Sequence, residues 1–311
     1  MDFPIRYSYK YYTMIDFIPL DLTINTPGYL CRSNEANVVK IYTDTSQLKS
    51  TNNMFQGSTI MNSVALFDTS NVTDMSYMFS YCSNLYTVPQ FDTSKVVDMQ
   101  SMFNNCTYIR KVPQFDTSKV TNMSYMFSGC QYLIVVPQFD TSKVTNMSYM
   151  FQNCKYLTTI PQFDTSNVTS MNGTFSNCEL LREIPQLDTS NVTNLQNAFQ
   201  NCKKLERLPE LACDKISNVI IFGYNSMNSI RYVGGFKNLG MMSSMSNTSG
   251  AYFIAGMPYI SKESVLNILN GLYDRASAGY SVVTLKMHAN HLAMLTDEEK
   301  AIATNKGWTL S

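Results

Sequence analysis

Residues 115–138 read FDTSKVTNMSYMFSGCQYLIVVPQ, and residues 139–162 read FDTSKVTNMSYMFQNCKYLTTIPQ. The aromatic residue that opens this unit recurs as Phe67, Phe91, Phe115, Phe139 and Phe163, with Leu187 in the sixth place, every step being 24 residues. A strict period in the twenties is the mark of a solenoid, each repeat being one lap of a coil. Two weaker laps flank the six. Upstream, residues 48–55 keep the Met-Phe step at Met54 and Phe55; downstream, residues 211–233 keep Ile216, Val219, Phe222 and Ile230 with one residue inserted. Terminal repeats are expected to be atypical, because a stack has to be capped.

In the first full unit the apolar positions are Phe67, Val72, Met75, Met78, Phe79, Cys82, Leu85 and Val88. Spacings of three dominate, which fits neither a long α-helix nor an alternating strand. They fit a coil that turns inward every few residues, with a short strand and a tight or 3₁₀-like turn per lap. The strand is expected at the LxxVPQF end of the unit, for instance residues 133–139. The turn or short helix is expected at TxMxxMFxxC, for instance residues 121–130. Proline lacks an N–H and so belongs where a ladder ends. One unit buries too little to order itself alone. Stacking supplies the missing burial and sets like side chains above like, about 4.8 Å apart.

The pattern MFxxCxxLxxIPxFDTSxVTxM resembles the BspA-like leucine-rich repeats of bacterial surface proteins, and the likeness covers residues 48–233. The resemblance implies a right-handed solenoid with a parallel sheet on one side, used in adhesion or recognition and not in catalysis. The expected fold class is therefore a leucine-rich-repeat-like solenoid, mostly β with short 3₁₀ or helical turns, followed by a small α+β C-terminal cap. Three segments are expected: residues 1–47 as an N-terminal cap or anchor, residues 48–250 as the solenoid and residues 251–311 as the capping domain.

Within the ends, residues 5–11 and 37–43 read as strands, with a turn at Pro27-Gly28. Residues 234–250 are Gly-, Ser- and Met-rich and loop-like, with an imperfect further lap as the alternative reading. A helix is expected over 262–273, N-capped by Ser261, then a strand over 281–287. A second helix starts at Thr296, with Asp297, Glu298 and Glu299 in its first turn, and Gly307 ends it before a short strand at 308–310. The tail LTDEEKAIATNKGWTLS, residues 295–311, resembles C-termini attached to such repeats in gut-bacterial surface proteins and in structural proteins of phages that infect those bacteria.

Several residues form columns. Cys82, Cys106, Cys130, Cys154, Cys178 and Cys202 recur once per lap. Stacked equivalents have parallel Cα–Cβ vectors, poor geometry for a disulfide. With no C-x-x-C pair and no neighbouring histidine they read as small buried hydrophobes filling a narrow slot. Asp68, Asp92, Asp116, Asp140, Asp164 and Asp188 stack like charges, which calls for an offset. The local offset is Asp-Thr-Ser turn capping, and the alternative is calcium held between laps. Gln90, Gln114, Gln138, Gln162 and Gln186 are expected to form an amide ladder. The sequons at Asn71, Asn167 and Asn191 read as turn chemistry, and the lysine row Lys95, Lys119 and Lys143 as a solvated edge. His288 and His291, spaced H-x-x-H without an evident third ligand, read as surface histidines.

The totals exclude some functions. Lys and Arg number 23, as do Asp and Glu, so the formal net charge is zero, and charged residues make up 15% of the chain. Nucleic-acid binding needs a clustered basic excess, which the sequence lacks. No apolar run approaches the ~20 residues that span a bilayer, so membrane insertion is not expected. Residues 1–22 are interrupted by Pro4, Arg6, Lys10, Asp16 and Pro19, so no secretory segment is read there. No phosphate loop, nucleophile elbow or dinucleotide fingerprint occurs. The expectation is a protein without catalytic residues, metal or cofactor.

The informative positions are those that vary on this constant frame. Two residues past each cysteine stand Asn84, Tyr108, Tyr132, Tyr156, Leu180 and Lys204; two further on stand Tyr86, Arg110, Ile134, Thr158, Arg182 and Glu206. Tyr108, Tyr132 and Tyr156, with Arg110, Thr158 and Arg182, make a recognition strip suited to a protein or a glycan. The competing reading is lateral stacking that stiffens the coil. A second row, Tyr77, Tyr125 and Tyr149, follows the first Met of the unit. Three roles fit: a tail-associated phage virion component facing a host-surface protein or glycan and docked to other virion proteins, a bacterial surface adhesin, or a virion assembly scaffold with no receptor. Self-association into a homo-oligomer is left open.

Overall fold

A computed structural model describes residues 30–33, 38–41, 44–216, 227–241 and 256–311. Its axis is a parallel ladder in which Ser50, Asp74, Asp98, Asn122, Asn146, Ser170 and Asn194 bridge one another in succession, each 24 residues from the last. Around it the backbone alternates between two partners. Met75, Tyr77, Phe79 and Tyr81 donate their N–H groups to Asp98, Gln100, Met102 and Asn104 of the next lap. The residues between them turn back: Met78, Ser80 and Cys82 donate to Met75, Tyr77 and Phe79 of their own lap. The spacing of three between buried residues is the span of these turns, and each turn returns an apolar side chain to the interior.

Such a path needs left-handed backbone. Tyr77, Tyr125 and Tyr149 have φ of 57°, and the residue before the cysteine is also positive, at Tyr81, Asn105, Asn153 and Asn177 among others. A non-glycine residue there costs roughly 1 kcal/mol, which the paired N–H groups offset. Glycine takes the position at Gly129, where an added Cβ would lie 2.3 Å from the Asn105 Oδ1 atom.

No strand forms over 133–139, where Ile134 donates its N–H to the preceding lap; most of the inter-lap backbone bonds run through residues 121–130, the segment that reads as turn or helix. The repeat laps are thus turns and single bridges, not mostly strand. Pro137 contributes no N–H to such pairing, and Phe91 and Phe115 turn back onto Pro89 and Pro113 rather than pairing outward. Side chains supply the bonds that the backbone cannot. Gln90, Gln114 and Gln186 donate through Nε2 to the carbonyls of Gln114, Gln138 and Glu210 at 2.8–2.9 Å. Thr117, Thr141 and Thr165 donate through Oγ1 to the carbonyls of Asp140, Asp164 and Asp188.

The interior is columnar. Phe55, Phe79, Phe103, Phe127, Phe151, Phe175 and Phe199 stack with centroids 5.3–5.8 Å apart and planes within 10°. Phe115, Phe139 and Phe163 each lie 6.2 Å from a ring of that column. Each cysteine of the column is fully buried and donates its S–H to a phenylalanine carbonyl 27 residues earlier, as Cys106 does to Phe79 and Cys130 to Phe103, both at 3.0 Å.

At the start, β1 (Leu30–Ser33) pairs antiparallel with β2 (Val38–Ile41), which pairs parallel with β3 (Ser63–Val64). The strand expected over 37–43 is β2; the one expected over 5–11 and the Pro27-Gly28 turn lie outside the described residues. At the far end β4 (Arg207–Leu208) and β5 (Leu211–Ala212) pair with β6 (Tyr232–Val233) and β7 (Phe236–Lys237), now 25 residues on because of the inserted residue. Within the segment 234–250, β7 continues the coil, which fits the imperfect-lap reading of its start rather than the loop reading.

The C-terminal unit holds α1 (Lys262–Gly271), β8 (Val283–Leu285), α2 (Ala289–Met294), α3 (Asp297–Thr304) and β9 (Trp308–Leu310). Ser261 caps α1 by accepting the Ser264 N–H, and Thr296 and Glu299 cap α3 reciprocally. β8 and β9 pair in parallel. The unit seats on the last coil: Leu239 bridges Leu272, and the buried Arg275 donates to the Gly240 carbonyl at 2.6 Å. His291 is not a surface histidine. It lies on α2, fully buried, and burial followed by the nearby His288 lowers its pKa below the ordinary value.

Candidate surface-recognition site

The varying positions occupy one side of each lap, between the cysteine and the proline. Ile109, Leu133 and Leu157 point inward and are fully buried, which sends the residues on either side of them outward. Inter-lap bonds fix the register: Tyr108, Tyr132 and Tyr156 donate their backbone N–H groups to the carbonyls of Ser83, Thr107 and Gln131 at 3.1–3.2 Å. Ile134 donates likewise to Arg110 at 3.1 Å.

This register stacks the tyrosines. Tyr108 and Tyr132 have ring centroids 5.3 Å apart at 8°, and Tyr132 and Tyr156 are 5.0 Å apart at 18°. Both faces of Tyr132 are thereby covered, while the column remains open to solvent at its edges. Their hydroxyls make no hydrogen bond among the described residues. Around the column Tyr86, Tyr108 and Tyr156 are 54%, 50% and 47% exposed, and Ile134 and Val135 are 46% and 50% exposed. Isolated exposed apolar side chains are ordinary, but a contiguous group is a feature of interaction surfaces.

The other sequence-read residues fall into two settings. The Arg110 guanidinium lies 5.8 Å over the Tyr86 ring, beside the tyrosine column. Thr158 is half-buried on the lap of Tyr156. Arg182 stands further along the same side and is engaged with Glu206 at 3.3 Å. Val135 and Lys111 join the strip although the sequence reading passed over them; their signal was a third varying row, Thr87, Lys111, Val135, Thr159, Glu183 and Arg207.

The second tyrosine row is differently placed. Tyr125 and Tyr149 stack at 4.8 Å, and the hydroxyls of Tyr77 and Tyr149 accept hydrogen bonds from Gln100 and Asn172, so these side chains are tied into the coil. Burial raises the pKa of Tyr125.

The aspartate column is locally satisfied. Asp68, Asp92, Asp116, Asp140, Asp164 and Asp188 each accept the N–H of the serine two residues on. Bonds from that serine hold each carboxyl below the ordinary range. Asn71, Asn167 and Asn191 spend their amide N–H on the carbonyls of Ser46, Ser142 and Ser166. Among the described residues no group of three or more His, Cys, Asp or Glu is arranged to hold a metal ion, and no helix is long and apolar enough to cross a membrane.

A family model described as "Mycoplasma protein of unknown function, DUF285" matches residues 31–133 and residues 132–220. No curated protein matches the chain. Among solved structures, an internalin (inlF) from Listeria monocytogenes str. 4b F2365 is similar at 15% sequence identity and a TM-score of 0.31. The match covers 83% of this chain and 63% of that one, so this chain spans less than two thirds of its length.

Proposed function

The chain belongs to the family described as Mycoplasma protein of unknown function, DUF285, and on that premise we propose that it is a non-catalytic binding protein whose solenoid presents the tyrosine side to a macromolecule on a cell surface. The observation that carries this reading is the contrast between frame and strip. Inward residues repeat almost unchanged from lap to lap, while the outward residues after each cysteine vary and gather exposed aromatic and aliphatic side chains. Rigid aromatic side chains add contact area at small entropic loss, the usual make-up of an interface centre.

Adhesion from a bacterial surface is the setting implied by the BspA-like repeats. Presentation on a virion, with the N-terminal segment docked to neighbouring virion proteins, is the second setting, favoured by the likeness of residues 295–311 to phage structural proteins. The gene neighbourhood decides between them: adjacent portal, capsid and tail genes select the virion, and their absence selects the cell surface.

The test of the binding role is the combined variant Tyr108→Ala, Tyr132→Ala, Tyr156→Ala, whose side chains lie outside the core. Binding of the intact chain to host cells and to a glycan array is measured beside circular dichroism. We expect binding to fall by about tenfold to a hundredfold, the effect of losing one or two interface-centre contacts, with the fold unchanged. Undiminished binding by a folded variant overturns the assignment.

A further inference from the structure

We propose that the tyrosine side recognises an acidic polypeptide segment, a partner class that rests on the binding role proposed above. The observation is how charge is distributed along this side. In the four laps from residue 83 to residue 159, the segments 83–87, 107–111, 131–135 and 155–159 carry Arg110, Lys111 and Lys155 and no Asp or Glu. None of the three cations forms a salt bridge among the described residues.

The next two laps are the opposite. There Lys203 meets Glu179 at 2.7 Å, Arg182 meets Glu206 at 3.3 Å, and the backbones of Glu183 and Arg207 bridge. The solenoid thus balances most of its own charge where the tyrosine column has ended, setting Glu179, Glu183 and Glu206 among Arg182, Lys203, Lys204 and Arg207, and leaves it unopposed where the column stands. An unopposed cationic patch favours an anionic partner, and it acts chiefly on specificity and association rate.

Two features select polypeptide over an anionic glycan. A sugar ring stacks on an open aromatic face, and the stack closes both faces of Tyr132 and one face each of Tyr108 and Tyr156, at 5.3 and 5.0 Å. What the column offers outward is ring edges and three unengaged hydroxyls, which donate to carboxylates. Beside them Ile134 and Val135 expose aliphatic surface that a polypeptide side chain covers and a sulfated sugar does not. Arg110, over the Tyr86 ring, keeps its edge donors free for a carboxylate.

The experiment uses the full chain and three probes: a glutamate–tyrosine copolymer, a lysine–tyrosine copolymer and heparin. Two charge-reversed variants are compared, Arg110→Glu with Lys111→Glu on the strip, and Lys119→Glu with Lys143→Glu on the aspartate edge. Both change the net charge equally and both replace exposed side chains. We expect the glutamate copolymer alone to bind, to lose about tenfold in affinity for the first variant, and to weaken as salt rises through the Debye regime. The second variant should bind like the parent. Equal losses in both variants, binding of the lysine copolymer, or binding of heparin without the glutamate copolymer each overturn the inference. If the three tyrosine replacements abolish host-cell binding while the Arg110 and Lys111 reversal leaves it intact, the binding role stands and the acidic partner falls.

Discussion

Each cysteine of the column is a small buried group with one polar obligation, and its S–H meets it by donating to a carbonyl of the neighbouring lap. Burial pushes the Cys82 and Cys202 thiols up to about 12 and raises Cys106, Cys130, Cys154 and Cys178 as well. A thiol whose pKa is higher in the folded state stabilises the fold fully below the unfolded value of 9.0 and loses that contribution as pH rises toward the folded value. Denaturation midpoints should therefore decline above about pH 9. Replacing Cys130 with alanine removes both the bond to Phe103 and the sulfur volume, so we expect a loss of about 1–2 kcal/mol at neutral pH. Urea titrations at pH 7 and pH 10.5 check both, with a smaller alkaline decline expected for the variant. The sequence announced that these residues stack and are buried. It could not announce the S–H bond, because the acceptor lies 27 residues away and its position depends on how one lap is offset against the next.

At the scale of elements, the repeat shows why apolar spacing fixes which residues are buried before it fixes secondary structure. Val72, Met75, Met78, Phe79, Cys82, Leu85 and Val88 are interior, as their pattern implies, while Phe67 of the same pattern is only partly buried against the core, and the ladder runs through the segment that reads as turn. Alternation of left- and right-handed residues lets one stretch turn and pair at once, and tyrosine at positive φ carries no propensity signal for it. The C-terminal helices were easier to read because caps are local: Ser261 and Thr296 act within three residues of themselves. α2 was missed, being six residues long and capped by His288, a residue that seldom announces a helix. Docking of α1 depends on Gly271, where a Cβ would lie 2.6 Å from the Phe236 carbonyl oxygen and 2.9 Å from its carbon. Backbone cannot swing aside as a side chain can, so Gly271→Ala should cost about 2–3 kcal/mol. Limited proteolysis is expected to release the C-terminal unit of the variant before it cuts the laps, and equal resistance to the parent would refute this.

For the whole molecule, every lap touches its neighbours through the same ladder, columns and side-chain bonds, so a lap is interchangeable in kind. Deleting residues 115–138 joins Gln114 to Phe139 and presents Asn146 to Met99 where Asn122 had been. A folded protein one lap shorter is the expected product, with a parent-like circular dichroism spectrum and a single melting transition. Deleting residues 115–126, half a lap, faces the phenylalanine column with the wrong residues and should prevent cooperative folding. An unfolded product from the first deletion, or a folded one from the second, would contradict a lap-by-lap stack. The first deletion also removes Tyr132 and its stack with Tyr108, so it should weaken the binding assigned to the strip.

Sequence alone determined the period, the interior residues, the columns they form and the side on which the chain varies, because identical laps can bury their apolar groups only by lying in register. Tertiary structure decided which segment pairs, how glutamine and threonine replace the N–H that proline lacks, and that His291 is interior. It also decided that the rings of Tyr108, Tyr132 and Tyr156 close on one another, that Arg182 is engaged, and that Arg110 and Lys111 stand unopposed. These depend on the offset between laps and on contacts 24 or more residues apart, which no single unit contains.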